Sequence, residues 1–316
     1  MYKLFKQSYF NNVVIVTGVH CSGKSMVSPI VCSLKRVEHV RKILTVDQIM
    51  HLAFLKKIDK LTAAYLVKQL LDKNFYEQLI GRNSNFRPED ETSILAAKNS
   101  SKLFSRIFIK RGPDIIKKYI KKKTIFCMDT HDGIMLFDIW KNINKNFKFI
   151  NIYRNPIDTV ASWYKHGMGK TEKILINELL MFKFKNKAFP LYHIENFEKY
   201  NQLSEIDRII NMVLYCMSSE YKNYKIYKNI KNCLFIEFED FAVNTIKNLE
   251  KISRFLKTEE STATKLIIKK ENCPRNIDTN IYNNNLKKIK SLSSRIHFNK
   301  LIEFERIYIR RKKNNL

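Results

Sequence analysis

The stretch VVIVTGVHCSGKS, residues 13–25, decides the fold. Its opening run, Val13 to Val16, is short and β-branched and carries no polar side chain, the pattern of a parallel strand buried on both faces. Thr17-Gly18 closes it, and Gly18-Val-His-Cys-Ser-Gly-Lys-Ser25 satisfies GxxxxGK[ST] between strand and helix. Such a loop binds an anion for physical reasons: glycines let the backbone curl, successive N–H groups point inward, and a helix N-terminus adds about half a positive charge. Gly18, Cys21, Ser22, Gly23, Lys24 and Ser25 are therefore the expected anion-binding residues, with Lys24 supplying a point charge. A helix is expected from about Ser25, with Pro29 in its first turn or so, where the missing N–H is tolerated.

Working outward, three more runs read as core strands: residues 124–128 (TIFCM), 147–153 (FKFINIY) and 232–238 (NCLFIEF). Between them the period becomes helical, as at Ile134, Phe137, Ile139 and Trp140, and again at Leu249, Ile252, Phe255 and Leu256. Strands alternating with helices predict an α/β fold with a central parallel sheet and helices on both faces. Residues 58–123 read as a helical insertion broken around 81–88, and residues 205–230 as one long helix rich in Tyr, Met and Ile. One domain over 1–316 is expected; Lys117 to Lys123 reads as a solvated face, and Arg310 to Lys313 as a frayed, solvated helix end.

Composition narrows the class. The chain has 316 residues, 45% of them hydrophobic, with only 7 Gly and 6 Pro, so it can bury a large core. Its formal charge of +28 would suggest nucleic acid or another polyanion as partner. The basic residues are mostly Lys, however, and Asn and Ile are also abundant, three residues that AT-rich codons favour. No stable nucleic-acid partner is expected; a positive field that attracts an anionic cofactor is. The six cysteines are scattered, without CxxC or a neighbouring His at ligand spacing, so no metal site is expected. The N-terminus lacks the marks of a signal peptide, and no apolar run approaches the ~20 residues of a membrane span. These features predict a reduced, cytoplasmic setting without a transmembrane segment.

A second anion site is legible at Arg154-Asn-Pro-Ile-Asp-Thr-Val-Ala-Ser162-Trp-Tyr164. Pro156 and Asp158 suit a helix start, and Arg154 stands at a strand's carboxyl end, where open α/β sheets bind ligands. Arg154 and Ser162 can share one phosphate only if the ligand lies along that helix. RNPIDTVASWY resembles the 3′-phosphate motif of the sulfotransferase family, and GVHCSGKS is similar to the loop that family wraps around a 5′-phosphosulfate, bacterial members above all. LFIEFEDFAVNTIKNLEKISRFL, residues 234–256, resembles a third family segment. The resemblance implies a P-loop-type fold, 3′-phosphoadenosine 5′-phosphosulfate (PAPS) as cofactor, and transfer of its sulfonate to a hydroxyl acceptor, carbohydrate being one compatible class. It also implies that Arg275, after Cys273-Pro274, reaches the 3′-phosphate from a late loop. The chain departs from the family at Cys21, where a basic residue is usual, and at Lys24, where Thr is common.

The segment Cys127-Met-Asp129-Thr-His131-Asp132 ends the second core strand. His131, near-neutral by nature, is the expected base for the acceptor's proton, oriented by Asp129 or Asp132, with Asp129 the rival base. The family's cytosolic members carry Lys-Thr-His at a similar place, and other branches use a carboxylate. His20 reads as loop packing. Two alternatives stay open: a P-loop kinase holding Mg²⁺ with Ser25 and Asp129, and a binding relative without turnover, to which Cys21 points.

Overall fold

A computed structural model describes residues 8–170 and 179–314. Five parallel strands form its main sheet: β1 (Val13–Thr17), β2 (Arg41–Lys42), β3 (Phe126–Asp129), β4 (Lys148–Tyr153) and β7 (Cys233–Glu237), in the order β2-β3-β1-β4-β7. Successive side chains of a strand point to opposite faces, and here both faces are filled. Val13 and Ile15 of β1 join a core with Met50, Phe75 and Trp140, while Val14 and Val16 join another with Val27, Ile30, Leu249 and Ile252. The first layer is built by α2 (Leu44–Phe54), α3 (Lys60–Leu79) and α6 (Phe137–Ile143), the second by α1 (Lys24–Cys32) and the helix Thr245–Leu256. Two-sided burial is why the strands read as unbroken apolar runs.

Because β1 is flanked by β3 and β4, the order reverses at β1, and the carboxyl ends of all three strands open on one crevice. Thr130 to Asp132 leave β3 there, Arg154 leaves β4, and the glycine loop leaves β1. From Arg154 the chain enters α7 (Pro156–Lys165), capped by Asn155, whose Oδ1 accepts from Ile157 N at 2.8 Å.

Several expectations need correction. Pro29 is the sixth residue of α1 and not in its first turn, because the helix starts at Lys24, directly after Gly23. The break in the insertion is wider than expected: between α3 and α5 (Pro113–Lys121) the chain forms only the short α4 (Ser100–Phe104) and two 3-10 turns. Residues 80–99 hold no α-helix; the segment beyond is fastened by Arg106, buried on Glu38 at 2.9 Å. A two-residue strand, β2, and a hairpin, β5 (Met181–Phe184) with β6 (Lys187–Pro190), escaped the sequence reading because both are too short for a period to show. Arg311 is not solvated. Its guanidinium lies 3.6 Å from the Tyr153 ring centroid and is 7% exposed, which seats the helix Arg295–Asn314 on the sheet side of the site.

Candidate functional site

The glycine loop is tightly constrained at two positions. A Cβ on Gly18 would lie 2.4 Å from the carbonyl oxygen of Ile152, and one on Gly23, at φ +99°, would lie 2.1 Å from the Phe238 ring. Both positions exclude any larger side chain. Lys24 is buried and turned back into the loop: Nζ donates to the carbonyls of Gly18 (3.0 Å) and Val19 (3.1 Å) and to His131 Nδ1 (3.0 Å). Ser25 is exposed at the helix start, and Ser22 Oγ is buried without a hydrogen-bond partner among the described residues.

Arg154 and Ser162, eight residues apart, both reach Cys21. Arg154 Nη1 donates to the carbonyl of Cys21 at 2.9 Å, and Ser162 hydrogen-bonds the Cys21 thiol. Burial pushes that thiol's pKa up, so Cys21 stays a neutral thiol. The Arg154 guanidinium lies 4.8 Å from the Phe238 ring centroid and Arg275 lies 5.9 Å from it, so two cations flank the ring that rests on Gly23. Arg154 Nε is buried without a partner among the described residues. Arg275 is exposed and anchored by its backbone N–H to Ala242.

The turn carrying Arg154 is held from outside the motif. Asn155 N–H donates to Glu239 at 2.8 Å, and Asn155 Nδ2 to Glu305 at 2.8 Å. Tyr308 donates to Glu239 and Tyr282 to Glu305, so two C-terminal helices brace the turn. Glu239 lies in the segment 234–256 that sequence reading singled out, but its bracing role did not show there, and Glu305 carries no motif at all.

His131 lines a cavity of about 160 Å³ together with His20, Lys42, Asp47, His51 and Tyr192. Its ring is hydrogen-bonded at both nitrogens. A lysine ammonium only donates, so Nδ1 accepts from Lys24, and Nε2 carries the proton shared with His20 Nδ1 at 3.4 Å. Burial and the charge of Lys24 push His131 well below its ordinary range, so the environment removes the near-neutral value expected of it. The same causes take His20 to about 3.

Around this ring sits a cluster that the sequence did not disclose. Asp47 accepts from the Thr130 hydroxyl and from the backbone N–H of His131 at 3.3 Å, and burial lifts its pKa to about 7. His51 faces the Asp47 carbonyl with Nδ1 (2.8 Å) and Asp132 Oδ2 with Nε2 (3.3 Å). Two acceptors favour an imidazolium; although burial opposes it, the Asp132 hydrogen bond and charge raise the pKa of His51. Tyr192 donates to Asp132 at 2.6 Å. Asp132 thus orients His51 and Tyr192, not His131. Asp129 is buried beneath α1, where it accepts from Ser28 at 3.2 Å, and it is not among the residues lining the cavity. Among the described residues, no group of three or more His, Cys, Asp or Glu is arranged to hold a metal ion, and no helix is long and apolar enough to cross a membrane.

The family described as the sulfotransferase domain matches residues 11–312. Similar solved structures include the sulfotransferase domain from the curacin biosynthetic pathway, 10% identical over 81% of this chain and 77% of that one, with a TM-score of 0.42. A sulfotransferase from Alicyclobacillus acidocaldarius is 13% identical over 89% of this chain and 94% of that one, with a TM-score of 0.37. Mouse sulfotransferase SULT7A1, complexed with PAP, is 13% identical over 83% of this chain and 65% of that one, also at 0.37. No curated protein is similar enough in sequence to match. With a family match that spans nearly its whole length, the chain belongs to the sulfotransferases, enzymes that transfer a sulfonyl group.

Proposed function

We propose that the chain, as one domain over residues 1–316, transfers the sulfonate of PAPS to a hydroxyl of an acceptor. The observation that carries this reading is the meeting of Arg154 and Ser162 on Cys21, which gathers a cation and a hydroxyl beside the phosphate loop. A 3′-phosphate gives that pair an anion to hold, and ATP has none. The buried, unpartnered Ser22 Oγ and Arg154 Nε also fit a ligand rich in oxygen acceptors. The free cysteines of the chain accord with the reducing, cytoplasmic setting that we assign to it.

PAPS, when bound, supplies the electrophilic sulfonate and a bisphosphate leaving group. Lys24, Ser25 and the N–H groups from Gly18 to Gly23 would hold the sulfonate and bridging oxygen, and Arg154, Ser162 and Arg275 the 3′-phosphate. Lys24 links the two halves of the site, because its ammonium occupies the lone pair of His131 Nδ1. Turning Lys24 toward an anion frees that lone pair, and His131 then takes the acceptor's proton at Nδ1. One observation favours a second base: Asp47 stands on the same cavity wall with its pKa lifted to about 7, near the ideal for proton transfer at neutral pH.

A thermal-shift comparison tests the cofactor assignment, since a ligand of the native state stabilises by RT ln(1 + [L]/Kd). Adenosine 3′,5′-bisphosphate should raise the melting temperature more than ATP with Mg²⁺ at equal concentration. The reverse order would establish the kinase reading instead.

A further inference from the structure

The sheet has a second ligand-sized opening, at its other end. A cavity of about 480 Å³ is bounded by Cys32 at the end of α1, by residues 35–39, by residues 96–99 and by Thr124 before β3. The catalytic crevice lies at the carboxyl ends of the same strands, so the body of the sheet, roughly 13 Å for a four-residue strand, separates the two. We propose that this cavity binds a small molecule carrying two or more phosphate or sulfate groups. The assignment does not rest on the reading of the catalytic site.

Charge carries the argument. Seven of the 21 lining residues are Lys or Arg, against 58 of 316 in the whole chain, so the cavity concentrates positive charge well beyond the chain's average. Its one lining carboxylate, Glu38, is taken up by Arg106 through two hydrogen bonds of 2.9 and 3.0 Å. Lys35 pairs with Glu259 at 2.9 Å. Arg36, Lys98, Lys102, Lys118 and Lys122 have no acidic partner among the described residues. Arg36 and Lys98 donate only to backbone carbonyls, those of Lys123 and Lys257 for the arginine and those of Leu34 and Val37 for the lysine.

Like charges gathered around one recess repel, and an anion between them relieves that cost. Burial, helped by the neighbouring Lys102, already depresses the pKa of Lys98. Asn99, Ser105 and Ser261 add neutral groups that can donate to oxygen. A second cavity of about 790 Å³ shares the wall formed by Arg36, Tyr119, Lys122 and Thr124, and it adds Lys121, Lys123, Lys148 and Lys257 without a single carboxylate. Repulsion shows there too: Lys148 has its pKa lowered by burial and then by Lys257 and Arg36. The run Lys117 to Lys123, read from sequence as a solvated face, supplies Lys118 and Lys122 to the first cavity and Lys121 to Lys123 to the second. A recess of this volume, within the range of small-ligand sites at roughly 300–1,000 Å³, suits a compact anion better than a polymer, which wants an open track.

The test is calorimetric titration of the full chain with inorganic tripolyphosphate near physiological ionic strength, with saturating adenosine 3′,5′-bisphosphate present. One-to-one binding is expected, weakened tenfold or more in the double variant K102E/K122E. Both residues are exposed, so the fold should survive, as an unchanged melting temperature would verify. The control K265E/K287E makes the same charge change outside both cavities and should bind like the parent. Repeating the titration on K24M/R154A, without bisphosphate, should give the same result, which separates failure here from failure of the catalytic reading. Absence of heat, a stoichiometry above one, or equal losses in the control variant each overturn the proposal. So does tight binding of a single-stranded oligonucleotide with none of tripolyphosphate.

Discussion

Replacing Arg154 by Ala isolates the residue on which the cofactor reading turns. The guanidinium makes one hydrogen bond to the Cys21 carbonyl, lies over Phe238, and leaves Nε buried and unpartnered. Its free donors are what a 3′-phosphate would engage, through charge-assisted bonds of about 1.5–3 kcal/mol. At about 1.4 kcal/mol per tenfold, the variant should bind adenosine 3′,5′-bisphosphate roughly 10- to 150-fold more weakly. AMP lacks the 3′-phosphate, so its affinity should change by no more than about twofold on the same scale. Loss of the Cys21 bond and of the stacked cation should also cost about 1–2 kcal/mol of stability, and denaturant unfolding measures that separately. Arg154→Lys keeps the charge but not the fork and should recover only part of the bisphosphate affinity. Calorimetric titration of both ligands against the three proteins decides the matter. Equal weakening for AMP and the bisphosphate would refute the assignment, because Arg154 would then be holding the loop and not reading a phosphate.

Lys24→Met should lower turnover by ~10²-fold or more through loss of charge stabilisation; it also strands the Gly18 and Val19 carbonyls, so melting temperature should be followed alongside. His131→Ala should reduce turnover by ~10²–10⁴-fold with bisphosphate affinity nearly intact, whereas Asp129→Asn should matter less; if Asp47→Asn is the dead variant and His131→Ala the active one, the base is the carboxylate on the cavity wall. Glu220 is buried with its pKa lifted by burial to about 8 from an ordinary 4.5, so the native state holds a proton that the unfolded chain releases, and stability falls as pH rises between those values. Glu220→Gln can still accept from Asn151; its melting temperature should match the parent near about pH 4.5 and exceed it at about pH 8.5, by an advantage on the order of 4 kcal/mol at most. A difference that does not vary with pH would show that Glu220 is ionised in the native state.

The sequence by itself determined the α/β class and the sheet's four longer strands, and it singled out the two segments that we propose bind anions. Each is a local pattern: an unbroken β-branched run, glycines where a Cβ would collide with a neighbouring strand or ring, an Arg and a Ser on one strand-turn-helix. Such signals lie within a dozen residues of one another and survive any arrangement of the rest. Only the tertiary structure decided what meets what. Asp47 and His51 belong to α2, and their place beside His131 depends on β2, two residues long and without a readable period, pairing with β3. Glu239 and Glu305 brace Asn155 across 84 and 150 residues of chain, a separation no motif spans. Arg311 looked like a solvated end because charge in a lysine-rich tail is usually hydrated, and it is buried because three tyrosine rings from separate elements form the wall that receives it. His131 kept its position but not its expected pKa: location follows from the strand that precedes it, whereas proton affinity follows from burial and from Lys24, which folding alone brings to 3.0 Å.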